Sequence, residues 1–358
     1  MSERQTERAA KVCMKCGASV SGDLDRCPTD GFRLASSASF RIVGTVVEKR
    51  YKVQEAIGTG GWATVYKAED QVLKRTVAIK VLHEAHLNNE VRIARFLREA
   101  QAIAQLQHKN ICDVYDFGFL PHGQPFIVME FLHGTALSKI ISEKKRLPVK
   151  DAVNIIVQAC DGLSAAHKNG IIHRDIKPGN IFIMDDGRIK LLDFGLAKTL
   201  DKEDRPLTAT GITVGTAEYM SPEQCFGLQV TASSDIYALG CVLFEMLTGT
   251  TPFEAFDDIE YMNKHVKEKA PKLAGKCPDQ EFSPALEAVV ARALDKNPAK
   301  RFDDAYAFKH QLLGATGTPM ESTTQPAVII TGPRFLLFWL TSLFILAALV
   351  VILMKLVR

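Results

Sequence analysis

An uncharged run at positions 335–354, FLLFWLTSLFILAALVVILM, constrains this chain more than any other feature. Its twenty residues include only Thr341 and Ser342 as polar groups. At about 1.5 Å per residue a helix of this length is about 30 Å long, the thickness of a bilayer's hydrocarbon core. Inside lipid the backbone must satisfy its own hydrogen bonds, which for a single run means a helix. A buried core helix is the bland alternative. Only four residues follow in the sequence, so no further fold is expected to cover the run. Residues 335–354 are therefore expected to form one transmembrane helix, with 355–358 as a short tail. Arg334 precedes the run and Lys355 and Arg358 follow it, a count that leans weakly toward a cytoplasmic C-terminus.

The rest of the sequence reads as globular. Hydrophobic residues make up 47% and charged residues 24%, which excludes a mainly disordered chain. A length of 358 residues suggests roughly two domains. Lys and Arg number 44 against 41 Asp and Glu, and the net charge of +3 says nothing about a nucleic-acid partner. Three of the eight Cys crowd into the first 27 residues and the others are scattered. That distribution does not fit a disulfide-stapled secreted domain and points to a reducing compartment. The charged N-terminus, MSERQTERAAK, has no apolar stretch of the kind a secretory signal needs.

Within the first 35 residues, Cys13-Met-Lys-Cys16-Gly17 is echoed by Cys27-Pro-Thr-Asp30-Gly31. The spacing resembles a zinc ribbon of two knuckles, with Asp30 where a fourth Cys would stand. Carboxylate oxygen ligates zinc, so Cys13, Cys16, Cys27 and Asp30 are a candidate Zn²⁺ set. A degenerate, metal-free ribbon is the alternative. Without an aromatic platform or a dense basic stripe, no nucleic acid is expected as partner. Residues 36–50 read as a joint, which begins in the flexible ASSAS at 35–39. Residues 51–313 read as the folded body, and the Gly-, Thr- and Pro-rich 314–334 as a linker.

The body opens with strand signals at 51–57, 63–69 and 76–82. A helix over 92–106 follows, with Ile93, Phe96, Leu97, Ala100, Ile103 and Ala104 at helical spacing, then a strand at 126–130. From 151 onward the periodicity is helical, and 236–247, apolar nearly all round, reads as a fully buried helix. Between the first two strands lies Gly58-Thr-Gly60-Gly61-Trp-Ala63-Thr-Val65. Glycines let a backbone turn tightly and approach phosphate oxygens, and the small Ala63 occupies the third glycine position. No Walker lysine follows. The third strand ends in Val77-Ala78-Ile79-Lys80, and Glu99 borders the apolar face of the next helix. A Lys80–Glu99 pair would hold the ammonium toward α- and β-phosphates.

Further on stand His173-Arg174-Asp175-Ile176-Lys177-Pro178-Gly179-Asn180, then Asp193-Phe194-Gly195, then Gly215-Thr216 and Ser221-Pro222-Glu223. This ordered set resembles the protein-kinase signature series. The phrases GWATVY and GTAEYMSPEQ are similar to those of eukaryotic-like serine/threonine protein kinases of bacteria. The resemblance covers residues 51–313. It implies an α+β, two-lobed protein-kinase fold: a small β-rich N-lobe with a five-stranded sheet and one helix, and a larger helical C-lobe.

It also implies roles. Asp175 would orient the substrate hydroxyl and accept its proton, with Lys177 beside the transferring phosphoryl group. Lys80 and Glu99 would complete the catalytic set. Asn180 and Asp193 would hold Mg²⁺. Gly58, Gly60, Gly61 and Ala63 would cover the phosphates of ATP. Ile57, Val65, Ala78 and Phe182 would sandwich adenine, with Met129 as gatekeeper and the backbone of Glu130 and Leu132 as its hydrogen-bond partners. Lysine two residues after Asp175 favours Ser/Thr over Tyr substrates, and Thr216 would shape the substrate groove. Glu223 would pair with Arg301, and Asp235 would support the catalytic loop. Arg174 would take a phosphate partner in the activation segment, where Thr208 and Thr210 are the expected autophosphorylation sites. Expected partners are protein substrates, a second copy for trans-autophosphorylation, and the membrane. Because cellular ATP is cytoplasmic, the kinase body is placed on the cytoplasmic face of a single-pass plasma-membrane protein. This overrides the charge count. A pseudokinase or a zinc-ribbon adaptor scaffold is the alternative.

Overall fold

The computed structural model describes residues 11–13, 19–20, 26, 28, 34–36, 42–60, 63–83, 90–121, 123–194 and 217–317. They fall within one compact unit, Met1–Thr318. Cys16, Cys27, Asp30, Gly61, Thr208, Thr210, Thr216 and the run 335–354 lie outside them, as do the side chains of Cys13 and Glu99. No helix among the described residues is long and apolar enough to cross a membrane, and no group of metal-ligating side chains occurs among them.

Three short strands, β1 (Lys11–Cys13), β2 (Ser19–Val20) and β3 (Leu34–Ser36), form a small antiparallel sheet in the order β2-β1-β3. β3 takes in Ala35 and Ser36, where a joint was expected. The ladder to β1 pairs both residues, and this outweighs the loop preference of small polar residues.

The body begins with β4 (Val46–Val47), β5 (Tyr51–Thr59), β6 (Ala63–Asp70) and β7 (Arg75–Leu82), then α1 (Glu90–Ala104), β8 (Val114–Phe119) and β9 (Pro125–Glu130). The six strands form one sheet in the order β4-β5-β6-β7-β9-β8. The expected fifth strand is β8, and the two-residue β4 adds a sixth by pairing Val46 and Val47 with Lys52 and Tyr51. From Val77 to Leu82, central β7 is mostly buried on both faces: Val77, Ile79 and Val81 pack into one apolar cluster with Tyr51, Tyr66 and Phe126, Leu82 packs against Phe96 and Ala100 of α1, and Lys80 is the polar exception. Edge strand β8 alternates, exposing Tyr115, Phe117 and Phe119.

A second small sheet follows, of β10 (Gly134–Ala136), β11 (Ile181–Met184) and β12 (Ile189–Leu191). Helices α2 (Leu137–Lys144) and α3 (Val149–Lys168) lie between β10 and β11 in sequence. After β12 come α4 (Pro222–Cys225), α5 (Ala232–Thr248), α6 (Asp258–Lys267), α7 (Leu273–Lys276), α8 (Pro284–Ala293) and α9 (Ala305–Thr316). α9 continues past residue 313 into the expected linker. It stops at Gly317, whose φ of 63° terminates a helix at no steric cost. α5 is buried nearly all round and forms the axis of the helical core, together with α3, α8 and α9. A buried helix of this kind is a rigid post, and the site is built upon its first turn.

Candidate active site

Two segments carry the polar residues of the site. One is the loop from α3 to β11, and the other is the stretch directly after β12. Neither is regular structure, so each needs external anchors. Asp235, in the first turn of α5 and 1% exposed, supplies the first. Its Oδ2 accepts from His173 N at 2.8 Å and lies 2.8 Å from His167 Nε2, while Oδ1 accepts from Arg174 N at 2.8 Å. These bonds hold Arg174 at a φ of 66°, a left-handed conformation that a non-glycine residue keeps only when its surroundings enforce it.

His173 is the second anchor. Its Nε2 lies 2.9 Å from the Leu192 carbonyl, which only accepts, so Nε2 carries the proton. The unprotonated Nδ1 then accepts from Asp175 N at 3.4 Å. Burial holds the His173 pKa below the usual histidine value, which keeps this neutral tautomer. The ring also packs on Phe194, with centroids 4.3 Å apart. One imidazole thus ties the two catalytic segments together. At its far end Asp193 adopts a φ of 50°.

Around Asp175 the geometry is compact. Asn180 Nδ2 donates to the Asp175 carbonyl at 2.8 Å and to its Oδ2 at 3.1 Å. Lys177 Nζ stands 3.1 Å from the same Oδ2. Lys80 Nζ, from β7, reaches Asp193 Oδ1 at 2.6 Å, joining residues 113 positions apart. The expected partner Glu99 sits on α1, and its side chain lies outside the described residues. Since Asn180 commits its amide nitrogen to Asp175, its oxygen and the second oxygen of Asp193 remain as hard donors. That pair fits Mg²⁺, which prefers oxygen and keeps part of its water shell.

The face above this cluster follows from strand register. Val65 pairs with Lys80 and Lys80 with Ile127, while Ala78 pairs with Met129. Paired residues and residues two apart share a face, so Val65, Ala78, Lys80 and Met129 stand on one side of the sheet. Gly60 N donates to the Ala63 carbonyl at 3.0 Å and closes the glycine turn, with Gly58 opposite Val65. Ala63 and Ala78 are buried, Met129 and Phe182 half-buried, and Ile57 is 47% exposed at the mouth. The backbone N–H of Glu130 is spent on the Asp113 carbonyl at 2.9 Å. Leu132 forms no backbone hydrogen bond among the described residues, which leaves its amide groups for a ligand.

Several participants are not visible as motifs. Lys190, buried on β12, places Nζ 2.8 Å from Glu130 Oε2 and 3.0 Å from the Ile111 carbonyl, tying β9 to the segment before Asp193. Gln224 Nε2 donates to the Arg174 carbonyl at 2.9 Å. Tyr219 Oη donates to Glu245 Oε2 at 2.7 Å. Glu223 and Arg301 form the expected buried pair, with two contacts of 2.8 and 2.9 Å. Burial by itself raises the Glu223 pKa, but the guanidinium and the Ser234 hydroxyl outweigh it and hold the carboxyl below its usual value. A cavity of about 400 Å³ opens beside Lys177 and Pro178, walled by Glu218, Tyr219, Glu245 and Ser138.

Comparison with known proteins agrees with this geometry. Residues 51–313 match the family model described as "Protein kinase domain". The serine/threonine-protein kinase pkn3 of Myxococcus xanthus is 40% identical over 305 residues, covering 82% of this chain and 56% of the relative. The serine/threonine-protein kinase PknB of Mycobacterium tuberculosis is 40% identical over 289 residues, covering 80% of this chain and 45% of the relative. This chain therefore spans about half the length of the curated relatives it matches. The crystal structure of the M. tuberculosis PknI kinase domain superposes with a TM-score of 0.62 at 27% identity, covering 77% of this chain and 98% of that one.

Proposed function

The chain belongs to the protein kinase family, and from that premise we propose that it transfers the γ-phosphoryl group of ATP to serine and threonine hydroxyls of proteins. The observation that carries the reading is the constellation at Asp175, where Lys177 Nζ and Asn180 Nδ2 both lie 3.1 Å from one carboxylate oxygen. Phosphoryl transfer needs positioning and charge neutralisation more than covalent chemistry. The Asp175 carboxylate is held to orient an incoming hydroxyl and take its proton. Lys177 stands beside it to offset charge on the transferring group. Lys80 and the glycine turn hold the nucleotide's phosphates. Mg²⁺, held by Asn180 and Asp193, would supply charge neutralisation at the phosphate oxygens.

The regulatory reading is autophosphorylation at Thr208 or Thr210. Arg174 supports it: its Nε is buried and has no hydrogen-bond partner among the described residues, and burial lowers its pKa. A phosphate would give that guanidinium a counter-charge. A second copy acting in trans is the natural source, and the exposed row Tyr115, Phe117 and Phe119 offers a surface for pairing. The run 335–354 supports a membrane tether, the need for ATP at Asp175 supports a cytoplasmic kinase body, and Cys13, Cys16, Cys27 and Asp30 support a zinc-binding ribbon.

The test is transfer of ³²P from ATP by the full chain in detergent, beside Asp175→Asn, with Mg²⁺ and casein present. Label in the first and none in the second is the expected result. No label in either refutes transfer and favours a nucleotide-binding scaffold. Phosphopeptide mapping of the labelled chain is expected to find Thr208 or Thr210, and the absence of both refutes the regulatory reading.

A further inference from the structure

The catalytic constellation leaves one buried polar chain unused. His265, on α6, is fully buried, as is Tyr237 on α5. His265 Nε2 lies 3.0 Å from the Glu218 carbonyl and Nδ1 lies 2.9 Å from Tyr237 Oη. Lys296 Nζ lies 3.1 Å from the same Tyr237 oxygen. The direction of every bond follows from chemistry. A carbonyl only accepts, so His265 Nε2 donates. Burial beside the Lys296 ammonium keeps the ring neutral, so Nδ1 is a lone pair that accepts the Tyr237 hydroxyl proton. The tyrosine oxygen in turn accepts from the Lys296 ammonium. Phe253 closes the surroundings, edge-on to His265 at 5.0 Å and 4.4 Å beneath the ammonium.

This chain ends on the turn Ala217–Tyr219, which is the wall of the cavity next to Lys177. Glu218 and Tyr219 both line that cavity, and Tyr219 passes the restraint to Glu245 through its hydroxyl. We propose that His265 is a positioning residue for protein-substrate recognition: a single neutral tautomer that holds the Ala217–Tyr219 turn, and so the substrate-side wall, in register with Lys177. Resting on the protein-kinase reading, it deepens it by separating the residues that set binding of the protein substrate from those that bind ATP. The nucleotide site is built on β5, β6, β7, β9 and β11, and none of the four groups in the chain lies on those strands.

The test uses the full chain with casein as acceptor, comparing His265→Ala, His265→Gln and Tyr237→Phe. The alanine variant loses the grip on the carbonyl. Its KM for casein is expected to rise about tenfold, the effect of one lost buried hydrogen bond, with the KM for ATP unchanged. Glutamine carries an amide donor at the length of Nε2 and is expected to restore most of the loss. Tyr237→Phe keeps the packing and cuts the chain at one oxygen, so it decides the matter should the alanine variant not fold. Its KM for casein is expected to rise about threefold. If the KM values for casein and ATP rise together, or only kcat falls, or the glutamine variant behaves as alanine does, the role is structural and the proposal is overturned. Unchanged casein KM in all variants overturns it as well. No label from the unaltered chain refutes the kinase reading and this proposal with it, whereas label in the unaltered chain separates the two failures.

Discussion

Asp235, His173 and His265 illustrate what a single buried polar residue contributes here. The two histidines are held as single neutral tautomers by their partners, and all three residues lock loops or single turns to the helical core. For His265 this has a consequence in pH. Burial, and then the nearby Lys296 charge, push its pKa down to about 3 from the ordinary 6.5. Between those values the unfolded chain binds a proton that the folded chain does not, so stability is complete above pH 6.5 and is lost as the pH falls. The slope is about 1.4 kcal/mol per pH unit, or about 2 kcal/mol by pH 5. His173 titrates in the same direction, but it is common to any His265 variant. Urea unfolding at pH 7.5 and pH 5 is therefore expected to show a stability loss in the unaltered chain that exceeds the loss in His265→Gln by that amount. Equal losses would refute the assignment of a buried neutral ring. The sequence disclosed Asp175, Lys177, Asn180, Asp193 and the Glu223–Arg301 pair because these occur in fixed phrases. It did not disclose His265, Tyr237 or Lys190, because a lone histidine, tyrosine or lysine on a helix or strand has no spacing that marks its partner.

Elements were legible where their period was long and uninterrupted. α5 announced itself as an apolar segment too short for a membrane, and β5, β6 and β7 start and stop within two residues of their expected limits. By contrast β4, β10, β11 and β12 have two to four residues each, less than the pattern needs to rise above chance. β10 and β11 depend on a ladder between distant residues, such as Ala136 with Phe182, whereas β4 and β12 are short arms of hairpins with β5 and β11. α5 also carries a packing constraint that the pattern hides. A Cβ at Gly240 would lie 2.9 Å from Ala293 Cβ and 3.3 Å from Leu294 Cδ2. Ala293 Cβ is fixed to the α8 backbone and moves only with its helix. Replacing Gly240 by alanine gains about 1 kcal/mol of helix propensity, while overpacking a core contact costs about 1–3 kcal/mol. The steric cost wins because both helices are buried and cannot separate without opening the core. Gly240→Ala is expected to lower stability by up to about 2 kcal/mol in urea unfolding. Adding Ala293→Gly is expected to return most of the contact cost. Gly240→Ala costing as much in an Ala293→Gly background as in the unaltered chain would refute a direct α5–α8 contact as the cause.

At the scale of the molecule, the sequence of the kinase body and that of the run 335–354 differ in kind. The body buries its apolar residues in three clusters, two in the β-rich part and one among the helices. The run has no alternation to present one face to such a core and one to water. Twenty residues without a charge would leave a large apolar surface in contact with water on any exposed helix. That cost falls away when the surface faces hydrocarbon, which is the basis of the membrane proposal. The basic residues at both ends, Arg334 before and Lys355 and Arg358 after, suit headgroup phosphates on either side. The charge count alone leans to a cytoplasmic C-terminal flank, whereas the proposed orientation follows from the need for ATP on the side of Asp175. Full-length protein is therefore expected in the membrane fraction after washing with high salt and with alkaline carbonate, and in solution only with detergent. The same chain stopped at residue 333 is expected in the supernatant. Protease added to intact right-side-out cells is expected to leave the kinase body whole, whereas inverted vesicles expose it. Release of the full chain by salt alone would show a peripheral attachment, and digestion of the kinase body from outside would reverse the orientation.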